Sequence, residues 1–135
     1  MENRYLYKAK RKDNGEWVQG NIFLDIEKNK PFETYRIYPI DYVDICRIVD
    51  KTTICQCTGL KDKNGKLIWE NDFVNCIDAE CCGYISWNES EAGFYFNVLL
   101  EGGRFDEEHI YDYQDCMEVI GNIFDNAELL ESEMA

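Results

Sequence analysis

A mainly β fold is predicted for this 135-residue chain, and three observations predict it. Short runs alternating apolar and polar residues recur at close spacing, with turn signals between them. Nineteen aromatics (three Trp, nine Tyr, seven Phe) suit a pleated interior, because flat rings pack well on sheets. No long amphipathic helical pattern separates the strand candidates, so parallel βαβ units are excluded and an all-β barrel or sandwich is left.

The elements follow in order. "YLYKAKR" alternates over Tyr5 to Lys10 and reads as a first strand. "DNG" (13–15) supplies through Asn-Gly the positive φ of a tight hairpin turn, and "EWVQGNIFL" reads as the return strand. "EKNKPF" (27–32) is a polar loop, the least ordered stretch of the pattern. "ETYRIYPI" (33–40) and "ICRIV" (45–49) look like strands with Pro39 interrupting between them, and "TICQCTG" (53–59) like another short one. Asn64-Gly65 is a second Asn-Gly turn, and "ENDFV" reverses the chain again into a strand over 73–77. "GYISW" (83–87) and "GFYFNVLL" (93–100) are strong strand candidates joined by the acidic loop "NESEA". In the second of them Phe94, Phe96 and Val98 share one face, and Tyr95, Asn97 and Leu99 the other. "EEHIYDYQD" (107–115) is ambiguous, and "MEVIGNIF" (117–124) reads as a last strand. Asp125 is then placed to cap a short helix over 126–133, with Glu128 in the reciprocal position and docking through Leu129 and Leu130.

Composition narrows the function classes. No apolar run approaches the roughly 20 residues that span a bilayer, and "MENRYLYKAKRK" lacks the apolar core of a signal peptide. The expected location is therefore the cytoplasm, with no membrane contact. Seven cysteines (46, 55, 57, 76, 81, 82, 116) are then expected as reduced thiols. Acidic residues outnumber basic ones 27 to 14, a formal charge of −13. Such a field repels nucleic-acid phosphates and attracts basic surfaces. A direct nucleic-acid contact would have to use Lys8, Lys10, Arg11 and Lys12.

The most patterned stretch, "TGLKDKNGKLIWENDFV" (58–74), is followed by "VIGNIFDNAELL" near the C-terminus. Together they resemble the YopX family of phage and prophage proteins. Thr58, Gly59, Leu60, Lys61, Asp62, Asn64, Gly65, Ile68, Trp69, Glu70 and Asp72 match one family block. Ile120, Gly121, Asn122, Ile123, Glu128, Leu129 and Leu130 match the other, and "YLYKAKRKDNGEWVQG" fits the usual opening. Cys57 stands where an aromatic is expected, Asn71 where a glycine is, and Ala127 where a proline is. Asn tolerates the left-handed conformation, so the turn at 70–72 is expected to survive. The resemblance implies a mainly β chain whose second half is an SH3-like barrel. The expected division is an N-terminal β lobe over 1–52 and a C-terminal SH3-like lobe with a terminal helix over 53–135, or one compact unit. For function it implies a phage-encoded accessory protein, host-cell cytoplasmic, with no established activity.

The 58–74 stretch itself reads as a turn device. Gly59 and Asn64-Gly65 give backbone freedom, Asn71 completes the second turn, and Asp62 and Asp72 are placed to accept backbone hydrogen bonds. It holds no nucleophile, base or phosphate-cradling glycine array. His109, the sole histidine, could pair with Cys116 as a nucleophile–base couple, but no cysteine-hydrolase signature accompanies it. Zinc ligation by Cys55, Cys57, Cys76 and His109 is conceivable, since Cys55 and Cys57 would share a strand face, whereas Cys81 and Cys82 would face opposite ways. Acid pairs such as Glu89/Glu91, Asp106/Glu107/Glu108 and Asp112/Asp115 are what chance gives in so acidic a chain. Tyr84, Trp87, Tyr95, Tyr111 and Tyr113 are a candidate docking surface if they line one groove. The expectation is a protein without catalysis, cofactor or resident metal, binding a host or phage protein or itself. The alternatives are an acidic nucleic-acid mimic that occupies a basic host protein, and a zinc-stabilised module.

Overall fold

The structure, a computed structural model, describes residues 5–25, 34–39 and 46–129. It is mainly β, 57% strand, in two antiparallel sheets. The polar loop at 27–32 and residues 130–133 of the expected helix lie outside the described residues. The chain forms two compact units, residues 1–57 and 58–135.

In the first unit, β1 (Tyr7–Lys10), β2 (Trp17–Asp25), β3 (Thr34–Pro39) and β4 (Arg47–Val49) form an antiparallel series. The first residues of β5 (Cys55–Lys61) pair with the free edge of β1, through Tyr7 opposite Gln56 and Lys8 opposite Cys55. Alternation carries Ala9, Ile37 and Val49 to one face, where Tyr7, Val18, Ile22, Tyr35 and Ile54 cover them. Pro39 does not break β3. It ends the strand opposite Gly20, an end position that tolerates its missing N–H.

The second unit opens on the later residues of β5 and on β6 (Leu67–Trp69). A five-stranded sheet follows, made of β7 (Asp72–Cys76), β8 (Cys81–Asn88), β9 (Gly93–Leu99), β10 (Phe105–His109) and β11 (Met117–Asn122). Its order is β10-β9-β8-β7-β11, with β8 in the middle. Among the described residues no pairing joins β10 to β11, so this sheet is open at both ends. The ambiguous segment resolves into the end of β10 and two 3-10 turns, Ile110–Asp112 and Gln114–Cys116. Val74, Cys76, Ile85, Phe96, Val98, Ile110 and Met117 form the core together with Ile68. Each large apolar side chain buried there contributes about 1.5–3 kcal/mol.

Three local details differ from the sequence expectation. Both Asn-Gly pairs turn the chain through a positive φ, but in loops longer than the two-residue type I′ turn, which needs positive φ at both residues. Only the glycines have it, Gly15 at 73° and Gly65 at 83°. Gly65 N–H donates to the Asp62 carbonyl (3.0 Å) and Asp62 N–H to the Lys66 carbonyl (2.7 Å), which closes a three-residue loop. Around Gly15 the closing bonds run from Gly15 N–H to Arg11 and from Arg11 N–H to Glu16, which leaves a four-residue loop. At the C-terminal end, helical residues begin at Ala127. Asn126 rather than Asp125 therefore takes the cap position, with its carbonyl accepting from Leu129 N–H. Asp125 is held back by Asn122, whose side-chain amide donates to it at 3.1 Å.

The loop between β8 and β9 stores strain. Ala92 sits at φ 52°, a left-handed conformation that costs a residue with a Cβ about 1–2 kcal/mol. Ala92→Gly removes that cost but adds about 0.5–1 kcal/mol of chain entropy in the unfolded state. A net rise of a few degrees in the melting temperature is expected by calorimetry; a fall would mean the loop is not held left-handed in solution.

Candidate functional site

The two motif blocks form one structural knot. Asp62, 6% exposed, stands at the end of β5. One of its carboxylate oxygens accepts the N–H groups of Asn64 and Lys66 at 2.9 Å each. The other accepts Val119 N–H at 2.9 Å, from β11. Burial alone would raise its pKa, but these three donors and the nearby Lys66 hold it below the usual carboxylate value. Lys63 N–H donates to the Met117 carbonyl and Ile123 N–H to the Asn71 carbonyl. Lys63 also approaches Glu118 at 3.8 Å. Asn71 takes φ 72°, and its N–H reaches the Ile85 carbonyl at 2.7 Å. Asp72, 2% exposed, accepts Trp69 N–H at 2.8 Å. Gly59 also has positive φ, 82°. These residues hold backbone in place.

The zinc candidates are dispersed. Cys55 and Cys57 are buried in β5 of the first unit, and the Cys55 thiol donates to the Thr53 carbonyl. Cys76 points into the second unit's core, whereas His109 lies on the opposite face of that sheet. Among the described residues no three His, Cys, Asp or Glu side chains stand together as a metal site. Cys81 and Cys82 diverge as strand alternation requires: Cys81 packs on the core, and Cys82 lines the other face. No hydrogen bond joins His109 to Cys116 among the described residues. The His109 ring lies between Tyr95 and Tyr111, at 5.1 and 5.4 Å between ring centres.

The five aromatic candidates divide. Tyr84 and Tyr95 lie on the outer face of the sheet, Tyr84 with its edge against Phe105 at 5.1 Å. Tyr111, 67% exposed, ends the stack that begins at Tyr95. Partial burial first, then Glu91 and Glu107, raise the Tyr95 phenol. Trp87 instead pairs edge-on with Phe94, whose alternation is that of the core face. Tyr113 packs against Phe96 in the core, at 5.2 Å. Burial, followed by Glu108, raises its phenol too.

The same outer face carries a hollow of about 430 Å³ that no single stretch of sequence announces. Phe73, Leu99, Leu100, Phe105, Ile120 and Leu129 supply its apolar wall, and Glu80 and Glu101 its acidic rim. A register shift between Val119 and Gly121 pushes Ile120 outward, where it is 45% exposed. The available signal was the run "GFYFNVLL", apolar at both parities, which marks a strand covered or occupied on both faces.

The basic segment at the N-terminus is largely engaged. Lys8 and Lys10 reach over the Trp17 ring at 4.8 and 5.5 Å. Arg11 holds Asp13 through two hydrogen bonds of 2.9 and 2.6 Å, which raises its own pKa and lowers that of Asp13. The charge is unevenly divided. The first unit has ten Lys and Arg against nine Asp and Glu, and the second has four against eighteen. Among the described residues no helix is long and apolar enough to cross a membrane.

No curated protein matches the chain. Among solved structures, the chain is similar to the crystal structure of protein EF1440 from Enterococcus faecalis, at 23% identity and a TM-score of 0.41. That likeness covers 92% of this chain and 96% of the other. The family model described as "YopX protein" matches residues 6–131. Its span takes in β1, the knot around Asp62 and the closing turn at Asn122–Asn126, and on that span the chain belongs to the YopX family.

Proposed function

We propose that the protein is a phage- or prophage-encoded accessory protein that acts in the bacterial cytoplasm as a non-catalytic binding module. The observation that carries this reading is the outer face of the second unit. There the sheet face that carries an apolar hollow with an acidic rim also carries, at the other end of β9 and β10, the column Tyr95–His109–Tyr111. The fitting partner is a basic protein that inserts an apolar side chain into the hollow and sets its Lys or Arg residues against Glu80, Glu101 and Glu107. We read this unit as the SH3-like lobe that the family resemblance implies. In support, β7 to β10 run as a meander, and β11 returns beside β7 after the two 3-10 turns.

One observation favours a second reading, an acidic mimic of nucleic acid aimed at a basic host protein. Eighteen acids against four bases give the second unit a formal −14, whereas the first is near neutral. Capture from a bacterial lysate by wild type and by Ile120→Asp separates the two readings, with circular dichroism confirming that the variant folds. The expected result is a basic protein captured by wild type, retained at moderate salt and at least tenfold depleted by Ile120→Asp. Capture indifferent to Ile120 but abolished by salt would replace docking with mimicry. Recovery of only the chain itself would overturn both and leave self-association through β10 or β11.

A further inference from the structure

Cys76, Cys81 and Cys116 come together although nothing in their spacing along the chain suggests it. Cys76 ends β7, directly opposite Cys81 at the start of β8. Cys116 ends the second 3-10 turn, one residue before Met117, the cross-strand partner of Cys76 on β11. The Cys116 thiol donates to the Tyr113 carbonyl at 3.1 Å, and the Cys76 thiol approaches that oxygen at 3.9 Å. Both thiols converge on that one oxygen, which brings the two sulfurs into one corner of the core, and the β7–β8 ladder sets Cys81 opposite Cys76 there. The three differ in access: Cys76 is fully buried, while Cys81 and Cys116 are partly exposed.

We propose that this cluster is an oxidisable site in which Cys116 and Cys76 form an intramolecular disulfide when a low-molecular-weight disulfide supplies the oxidising equivalents. The exposed member reacts first. The Cys116 sulfur attacks the oxidant, one of the oxidant's sulfurs leaves as a thiol, and a mixed disulfide remains on Cys116. Cys76 then attacks the Cys116 sulfur, its proton passes to solvent or to the departing thiolate, and the second half of the oxidant leaves as a thiol. Two protein thiols are oxidised and one oxidant disulfide is reduced to two thiols. Burial, chiefly, together with the neighbouring sulfurs, raises the Cys76 pKa, so the second step is the slow one. The bond would tie β7 to the entrance of β11, across 40 positions of sequence. Closing so long a loop in the unfolded chain raises the melting temperature by roughly ten degrees or more.

The test incubates the full folded chain with excess oxidised glutathione and reads intact mass, melting temperature and a non-reduced peptide map. Cleavage after glutamate is well placed, because it isolates Cys76 in 71–80, Cys81 with Cys82 in 81–89, and Cys116 in 109–118. The expected product has lost two hydrogens, carries no glutathione, links 71–80 to 109–118 and melts higher. Cys116→Ser should abolish the link and the shift, and Cys81→Ser should keep both. Stable glutathione adducts without a link, a link through 81–89, or loss of the product in Cys81→Ser would each overturn the assignment. Cys116→Ser and Cys81→Ser alter partly exposed positions, so the outcome does not depend on replacing the buried Cys76.

Discussion

Asp62→Asn is expected to destabilise the protein by about 2–3 kcal/mol although it changes no shape, because it turns one acceptor into a donor. The wild-type carboxylate accepts three backbone N–H groups, two on one oxygen and one on the other. An amide can still serve Asn64 and Lys66, but its NH₂ then meets the Val119 N–H, and a buried donor is left without a partner. Asp62→Ala strands all three donors and is expected to cost more, about 3–5 kcal/mol. The pH dependence carries a definite sign. The folded pKa is lowered, so this stabilisation is fully present above the unfolded value of about 3.9 and is lost as pH falls through the folded pKa. The gap between wild type and Asp62→Asn in urea denaturation should therefore be constant near neutrality and shrink below about pH 4. A gap that persists unchanged in acid would mean that the carboxylate's charge is not what the three donors recognise.

How much of this was legible from the sequence can be judged at particular residues. The strands were legible from alternation: in "GFYFNVLL" the shared face of Phe94, Phe96 and Val98 could be read directly, but that this face is the buried one could not, because both parities carry apolar residues. The positions of the turns were legible from Asn-Gly, but not their lengths. Those depend on whether Asn14 and Asn64 share the left-handed conformation with the glycines after them, and hydrogen bonds elsewhere in each loop decide that. Asp62 could be read as a turn acceptor within its own loop. Its bond to Val119 could not, because a contact across 57 positions exists only once β11 has returned beside β7. The hollow was hidden for the same reason. Its wall is assembled from Phe73, Leu99, Phe105, Ile120 and Leu129, each of which reads locally as an ordinary apolar position. Trp87 and Tyr113 could not be sorted from Tyr84 and Tyr95 by residue type. Parity decides for Trp87, and for Tyr113 the 3-10 turns that carry it back over Phe96.

The knot also accounts physically for two separated motif blocks in one family. β11 pairs with β7, yet the bonds that tie the 58–74 stretch to it extend beyond the ladder. They run from Val119 to Asp62, from Lys63 to Met117 and from Ile123 to Asn71. Gly121 stands where an added Cβ would lie 2.5 Å from the Asn126 side-chain oxygen, the atom that accepts Asn122 N–H at 3.1 Å. The second block is thus shaped to close on the first, and the outward bulge at Ile120 is left to form part of the hollow. Motif and candidate docking face are different parts of one arrangement: one fixes the strand, the other uses what the strand exposes.

Gly83→Ala is expected to be strongly destabilising, on the scale of the Asp62 substitutions. Gly83 lies in β8, the middle strand, opposite Val98. A Cβ there would stand 1.8 Å from the Asn97 carbonyl oxygen and 3.0 Å from a Phe96 ring carbon. The first obstacle is backbone, so no rotamer change relieves it. β8 and β9 would have to part near the fully buried Phe96, loosening the core packing on one side and Asn97 on the other. Asn97 donates to the Tyr84 carbonyl at 3.2 Å and to the Ser86 hydroxyl at 2.7 Å, and both bonds depend on that strand separation. Overpacking usually costs about 1–3 kcal/mol, and with no slack available the upper end or beyond is expected. That is a large share of the roughly 5–15 kcal/mol that stabilises an ordinary domain. Gly93→Ala is the control, because there the nearest atoms lie at 3.9 Å and ordinary contact suffices. Hydrogen exchange followed by mass spectrometry should show protection lost across β7, β8 and β9 in Gly83→Ala and retained in Gly93→Ala. Equal protection in the two variants would mean that β8 and β9 can shift apart at little cost, and the close approach at Gly83 would then not constrain the sheet.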